Sequence, residues 1–256
     1  MLFIILALLL IPLVMLLLGQ CYRDCDYEAK ADVSYLVVSM LGLILFYGQC
    51  VGIMANMSMD WHVGVKPSME ASSRIFLLDL RDAVTTCVTG TSFLAKYWQA
   101  FCVPLVLIVT MFIAQGMSRL LPDVRGHKWA IRWECSCNVL GSILAGLYVY
   151  MVQNTTAFFE CVPNHDAEAT LAKYKQIECG SERHARATPA MVLSVLFYVV
   201  GFFVLCLVLT VVTPRYFHSR SYRECVYFLV YRWKPDMWYF SLVYMARNVL
   251  QAFLVQ

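Results

Sequence analysis

Residues 187–214 read ATPAMVLSVLFYVVGFFVLCLVLTVVTP, and none of these side chains carries a charge. A helix needs about 20 predominantly apolar residues to cross the hydrocarbon core of a bilayer. The backbone of a chain in lipid must satisfy its own hydrogen bonds, so an apolar stretch of this length is helical there. We predict a transmembrane helix that Thr188 caps, that Pro189 opens at its first position and that Pro214 ends.

Comparable apolar stretches recur along the chain. We predict about six spans, at residues 2–19, 33–56, 97–118, 135–154, 188–213 and 237–256. The strands of a membrane barrel would be about 9–11 residues long and would alternate in polarity, whereas these stretches are longer and apolar on every face. The predicted fold class is all-α, a polytopic transmembrane helix bundle in which residues 1–256 form a single membrane domain.

The composition agrees with this class. Of the 256 residues, 61% are hydrophobic and 14% are charged, whereas a soluble domain has about 45–50% apolar and about 25% charged residues. These values exclude a soluble enzyme, a disordered chain, a coiled coil and a small secreted disulfide protein. The first apolar stretch has no basic residue before it, so we expect a retained helix rather than a cleaved signal peptide.

The basic residues predict the orientation of the bundle. The short loops 21–32, 119–134 and 215–236 hold eleven Lys and Arg residues, and the longer loops 60–96 and 160–186 hold eight. Short loops rich in Lys and Arg stay in the cytoplasm. The first loop is net acidic, so the orientation depends mainly on the two later loops. We therefore expect both chain ends and the two longer loops to lie outside.

This orientation assigns the cysteines to the two sides of the membrane. Cys161 and Cys179 fall in the same outside loop, where an oxidising compartment favours a disulfide between them. Cys87 is a third thiol on the outside. Cys135 and Cys137 lie at the cytoplasmic end of the fourth span, either as unmodified thiols or as sites of S-acylation.

The loop 215–236 is rich in basic and aromatic residues, and its net charge is +3. Each basic residue near an anionic leaflet contributes about 1 kcal/mol to its attraction. Nucleic-acid binding is not expected, because the segment is short and held between two spans. The residues expected to contact lipid headgroups are Arg215, Arg220, Arg223, Arg232 and Lys234.

Arg247 is the one charged residue inside a predicted span. A central Arg costs about 2.5–3.5 kcal/mol on insertion scales, so its head must reach protein, water or the interface. Two interpretations are open: a contact buried in the bundle with a gating or structural role, and a side chain that extends to the headgroups. No Asp or Glu lies inside a span, which argues against a proton-coupled pump and an acidic cation filter.

Other motifs are weak or missing. Two glycosylation sequons, at Asn56 and Asn154, come out on the predicted outside, but both lie inside or beside a span, which disfavours their use. The chain has no Gly-x-Ser-x-Gly, His-Glu-x-x-His or phosphate-binding loop, and its five histidines are scattered. We therefore expect no enzymatic activity, no catalytic residue, no cofactor and no metal site.

Several short motifs resemble one family. They are the stretch from Phe158 to Cys161, the pair Glu178 and Cys179, the run YFLVYRWKPDMWY at residues 227–239, Arg247, and upstream residues 75–104. Together they are similar to the C-terminal membrane region of large cysteine-rich surface proteins of protists, which is loosely similar to transient-receptor-potential and polycystin-like channels. The resemblance touches much of residues 61–256.

The resemblance implies a multi-pass domain with a disulfide-bearing outer loop and a channel or receptor role. Two positions depart from it, because Ser241 stands where the family often has Glu and Asn248 stands where it often has Lys. The large extracellular module of the family is also absent, and no polar flank follows the last span. The chain is therefore expected to be part of a longer protein or a reduced relative.

Three classes of function follow. The first is an integral membrane protein with a channel-like or receptor-like helical domain, in the plasma membrane or a membrane of the secretory pathway. The second is a structural or accessory subunit of a larger membrane complex. A membrane enzyme or transporter is the third, and no feature favours it. The expected partners are the lipid bilayer, its anionic headgroups, and other membrane subunits or copies of the chain itself.

Overall fold

A computed structural model gives the fold of the chain. The residues that this model describes are mostly helical. The described residues are 40, 44, 47–52, 54, 62–69, 71, 93–120, 130–164, 167–171, 177–230 and 237–254. The predicted span 2–19 lies outside these residues, and most of 33–56 does too, although the described positions in the latter are helical.

The apolar stretch 187–214 lies within a continuous helix of 35 residues, Glu182–Tyr216. It consists of α4, Glu182–Ser194, a π-helical segment, Val195–Gly201, and α5, Phe202–Tyr216. It begins before the predicted residue 188, because the Ser181 side chain accepts a hydrogen bond from the backbone N–H of His184 at 3.4 Å and so caps the helix earlier.

The predicted roles of Thr188 and two prolines in this helix are therefore wrong. Thr188 lies inside α4, where its hydroxyl donates to the carbonyl of His184 at 2.9 Å. Pro189 also lies inside the helix, and Pro214 does not end it, because α5 continues to Tyr216. Neighbouring groups can compensate for the amide hydrogen that a proline lacks in a span.

The helix Glu182–Tyr216 is long and apolar enough to cross a membrane. In its most apolar window of 18 residues the mean hydropathy is 3.0, and 22% of that window is buried. Among the described residues this is the one clear candidate span, or one of two if a bent pair of helices counts as a single span.

A bent pair of helices covers the predicted span 135–154. It consists of α2, Trp133–Gly146, and α3, Tyr148–Thr156, which meet at Leu147 with an angle of 49°. Together the two helices are apolar enough to count as one broken span. No proline lies in either helix, so the apolar pattern did not indicate the bend.

The remaining predicted spans within the described residues are helical with shifted ends. Span 97–118 corresponds to α1, Phe93–Leu120, and span 237–256 to α7, Phe240–Leu254. Residues 237–239 form a turn before α7 rather than part of the helix.

The loop between α3 and α4 contains a β-hairpin, which the all-α prediction did not include. Strand β1, Cys161–Asn164, pairs antiparallel with β2, Ala167–Leu171, and Cys161 lies opposite Leu171. Glu178 extends the pairing through a bridge to Thr170. A disulfide between Cys161 and Cys179 fixes the strand end to the segment that precedes α4.

The loop 215–236 also contains an element that was not predicted. Helix α6, Arg220–Val230, has three buried side chains, Glu224, Val226 and Leu229. Its polar residues and apolar residues lie on different sides, which is typical of a helix that lies on a surface.

The helices belong to two compact units. The first comprises residues 1–44, 102–146 and 208–241, and the second comprises residues 45–101, 147–207 and 242–256. In the first unit, buried side chains of α1 and α2 pack together with Ile131: Met111, Ala114, Cys135 and Val139. In the second, the loop between α3 and α4 packs on α4 through Phe158, Leu171, Ile177, Ala187 and Met191.

The π-helical segment is bonded to α3 by a buried tyrosine. The hydroxyl of Tyr148 donates to the carbonyl of Val199 at 2.9 Å, and its ring lies against Phe202, with the ring centroids 5.5 Å apart. A π turn changes the spacing between backbone donors and acceptors. The Tyr148 hydroxyl therefore supplies a hydrogen-bond donor to a carbonyl of the π-helical segment.

Replacement of Tyr148 by Phe removes that donor and keeps the ring. We expect the free energy of unfolding to fall by about 1 kcal/mol, the usual net value of one hydrogen bond. Thermal unfolding in detergent micelles measures the change. Tyr216→Phe, at an exposed ring, is the control that should leave the midpoint unchanged. Equal midpoints for the two variants would contradict the role of the Tyr148 hydroxyl.

Candidate functional site

A buried carboxylate lies between two guanidinium groups in the first unit. The side chain of Glu224 on α6 is 7% exposed. Its Oε1 accepts from Nε of Arg220 at 2.8 Å, and its Oε2 lies 2.8 Å from Nη1 of Arg132. We call Arg132, Glu134, Arg220 and Glu224 the Glu224 cluster. It joins α6 to the beginning of α2.

Local sequence positions these groups. Arg220 and Glu224 are four residues apart on one helix, a spacing that brings their side chains together. Arg132 comes directly before α2, and its Nη2 lies 3.6 Å from Oε1 of Glu134 in the first turn of that helix. The side chains of Arg220 and Arg132 are 77% and 44% exposed. The cluster therefore has a buried anion and two partly hydrated cations.

Uncharged contacts continue the interface between α2 and α6. Asn138 is fully buried, and its Oδ1 accepts from the backbone N–H of Phe228 at 2.9 Å. Gly141 faces the ring of Phe228, which leaves no room for a side chain at that position. Near the end of α6, the carbonyl of Leu229 accepts a hydrogen bond from the hydroxyl of Ser241. The contacts of Asn138 and Gly141 fix α6 against α2, and the contact of Ser241 joins the end of α6 to the beginning of α7.

The exposed side of α6 and the end of α5 carry the predicted headgroup residues. Arg215 is exposed in the last turn of α5. The guanidinium of Arg223 lies 5.8 Å from the ring centroid of Phe217. Arg220 extends from the Glu224 cluster toward solvent. The other two predicted residues, Arg232 and Lys234, lie outside the described part of the chain.

We expect Glu224→Gln to lower the free energy of unfolding by about 1.5 kcal/mol. That is the lower end for hydrogen bonds to charged groups, because both guanidinium groups remain partly hydrated after the change. Thermal unfolding in detergent measures it.

The chain offers a matched control, Glu182→Gln, which removes another carboxylate from an Arg–Glu pair at the same spacing. The side chains of Glu182 and Arg186 are 80% and 77% exposed, and exposed pairs contribute about 0–1 kcal/mol. If both Gln variants unfold at the same midpoint, burial of Glu224 does not matter for stability.

Arg247 lies on α7 with its side chain exposed. Its guanidinium lies 4.7 Å from the ring centroid of Tyr244, and its Nη2 lies 3.4 Å from Oδ1 of Asn248. Asn248 itself is buried. The contact with the headgroups and the contact within the bundle both stay predictions for Arg247.

The structure brings Cys161 and Cys179 together, as the sequence predicts, with a Cα–Cα distance of 6.3 Å. Behind the disulfide, the ring of Phe158 stacks on His184 with the centroids 4.5 Å apart. Of the predicted cytoplasmic thiols, Cys135 is buried and Cys137 is half-buried. Cys87 lies outside the described residues.

The sequon at Asn154 lies within α3, and its Nδ2 donates to the carbonyl of Tyr150 at 2.9 Å. That nitrogen is the atom that glycosylation would modify. Because this nitrogen is already hydrogen-bonded within a helix, Asn154 is a poor site for glycan attachment. Asn56 lies outside the described residues.

Sequence reasoning missed the Glu224 cluster. The signal that was present is the spacing of Arg220 and Glu224, together with apolar residues at 225, 226 and 229. The partnership with Arg132 has no local signal, because 92 positions separate it from Glu224. Among the residues that the structure describes, no group of three or more His, Cys, Asp or Glu side chains is arranged to hold a metal ion.

Compared with protein-family models, with curated proteins and with solved structures, the chain shows no match in any of the three.

Proposed function

We propose that this chain is an integral membrane protein with a channel-like or receptor-like helical domain of about six spans. The main support is the helix Glu182–Tyr216, whose apolar side chains face outward instead of filling a core. Phe197 is 69% exposed and Val211 is 59% exposed. Such a surface is costly in water and suited to lipid.

In this proposal the disulfide loop lies outside and α6 lies along the cytoplasmic headgroup layer. The basic residues of α6 would contact anionic lipid, while Val226 and Leu229 face inward. An amphipathic helix with a basic polar face is typical of the membrane interface. The protein would belong to the plasma membrane or to a membrane of the secretory pathway.

The Glu224 cluster is the observation that supports a channel-like or receptor-like role. It attaches α6, at the proposed lipid surface, to the first turn of α2. A movement of α6 relative to the headgroups would therefore be transmitted to α2 through Glu224 and Asn138. A domain that responds to its surroundings needs a connection of this kind between a surface element and a span.

One observation favours the alternative, a structural or accessory subunit of a larger membrane complex. Buried hydroxyl groups on the apolar helices bond to carbonyls of their own helix: Thr110 to Leu107, Ser118 to Gln115, and Thr155 to Met151. Polar side chains used in this way stabilise helices and their interfaces. They do not line an aqueous path.

Recording of ionic current after reconstitution into planar bilayers separates the two functions. A current that wild type supports and that Glu224→Gln alters, with Glu182→Gln unchanged, is the result expected for a channel-like domain. A silent protein that purifies in fixed stoichiometry with other membrane subunits would contradict the channel proposal and support the accessory role.

A further inference from the structure

Two free cysteines meet in the interface between α2 and α6. Cys137 lies on α2 and Cys225 on α6, and each is half-buried. Cys137 lies directly before Asn138 and one turn before Gly141, and both of those residues contact Phe228, which lies one turn after Cys225. The disulfide of the outer loop uses Cys161 and Cys179, so this second pair is available for other chemistry.

Contacts on both sides keep the pair in register. Before it along both helices, Arg132 approaches Glu224 at 2.8 Å. After it, Asn138 accepts from the backbone N–H of Phe228 at 2.9 Å. Because these contacts fix the two helices against each other, the thiols stay together as long as the interface is intact.

We propose that Cys137 and Cys225 are a redox modification site, at which hydrogen peroxide converts the two thiols into a reversible disulfide that fastens α6 to α2. The thiolate of Cys137 attacks a peroxide oxygen, the O–O bond breaks, and a sulfenic acid and hydroxide form. The hydroxide takes up the proton that Cys137 lost and becomes water. The sulfur of Cys225 then attacks the sulfur of the sulfenic acid.

In this second step an S–S bond forms and the S–O bond breaks. The hydroxyl group leaves with the proton of Cys225 as a second water molecule. Two electrons pass from the two thiols to the peroxide, which completes the balance. A dithiol reductant reverses the reaction by thiol–disulfide exchange.

The surroundings of the pair set the order of these steps. The hydrogen bond with Cys137 raises the pKa of Cys225 above its ordinary value, and burial and the carboxylates of Glu134 and Glu224 act in the same direction. Cys225 therefore keeps its proton, and Cys137 is the sulfur that reacts first, since the thiolate is the nucleophile. Disulfides in the cytosol are usually transient and serve redox sensing, which fits a reversible bridge on the proposed cytoplasmic side.

The test uses the full chain, purified in detergent with reductant and then treated with hydrogen peroxide. After alkylation of the remaining thiols and digestion with trypsin, mass spectrometry should find residues 224–232, ECVYFLVYR, linked to the peptide that begins at residue 133. Dithiothreitol should remove the link. Cys137→Ser and Cys225→Ser should abolish it, and the matched control Cys135→Ser should retain it.

Alkylation of both thiols after peroxide treatment of wild type would overturn the proposal, and so would a link that persists in Cys137→Ser. The peptide that begins at residue 133 also contains Cys135 and Cys161, so fragmentation of the linked wild-type peptides must place the bridge on Cys137. That assignment decides the outcome even where a Ser variant fails to fold. The inference rests on the proposed function only for the side of the membrane on which the pair lies. If the protein carries no ionic current but still forms the link, the channel proposal fails and the redox proposal stands.

Discussion

Replacement of Cys161 by Ser is expected to lower the free energy of unfolding by about 3 kcal/mol, because the disulfide closes a short loop whose entropy is otherwise gained on unfolding. Cys161 and Cys179 are 18 positions apart. The bridge also holds the hairpin near the buried cluster of Phe158 and Met191. Circular dichroism during heating in detergent measures the loss.

The control for this variant is Cys102→Ser, which removes an exposed free thiol and should leave the midpoint unchanged. Dithiothreitol should lower the midpoint of wild type to that of Cys161→Ser and should not affect the variant further. A wild-type midpoint that resists complete reduction would contradict a stabilising role for the bridge.

The second large effect concerns two glycines in neighbouring helices, and we expect the same substitution to have opposite signs at them. A Cβ atom on Gly141 would lie 2.6 Å from Cζ of Phe228, whereas a Cβ atom on Gly116 would meet nothing within 4 Å. Overpacking of a tight interface costs about 1–3 kcal/mol. Ala in place of Gly in an open helix interior gains about 0.5–1 kcal/mol.

Gly141→Ala should therefore unfold at a lower temperature than wild type, and Gly116→Ala at a slightly higher one. The two variants should differ by about 3 kcal/mol. A double variant, Gly141→Ala with Phe228→Leu, should recover part of the loss, since the smaller side chain makes room. Two single variants of equal stability would show that α2 and α6 do not pack closely at Gly141.

The helical stretches were predictable because lipid imposes a simple rule on sequence. A chain without charges over about 20 residues has few alternatives to a helix in a bilayer. The disulfide was predictable for a similar reason, since topology left Cys161 and Cys179 in one loop. Those two inferences used only the order of residues along the chain.

The features that the sequence did not predict depend on contacts between residues that are distant along the chain. No proline in either helix indicates the bend at Leu147. The π-helical segment Val195–Gly201 accepts a hydrogen bond from Tyr148, which lies in another helix. The Glu224 cluster needs Arg132 from a separate segment. A hairpin in a loop of mixed composition likewise depends on its disulfide and on packing against α4, which the apolar pattern does not encode.

The central claim is that the helix Glu182–Tyr216 crosses a bilayer, with the disulfide loop outside and α6 in the cytoplasm. Single cysteines at Arg183 and His218, in a chain that keeps only the Cys161–Cys179 pair, can be labelled with a maleimide that does not cross membranes. We predict that Arg183→Cys is labelled on intact cells and that His218→Cys is labelled only after permeabilisation. Labelling of both positions on intact cells, or of both only after permeabilisation, would contradict the claim.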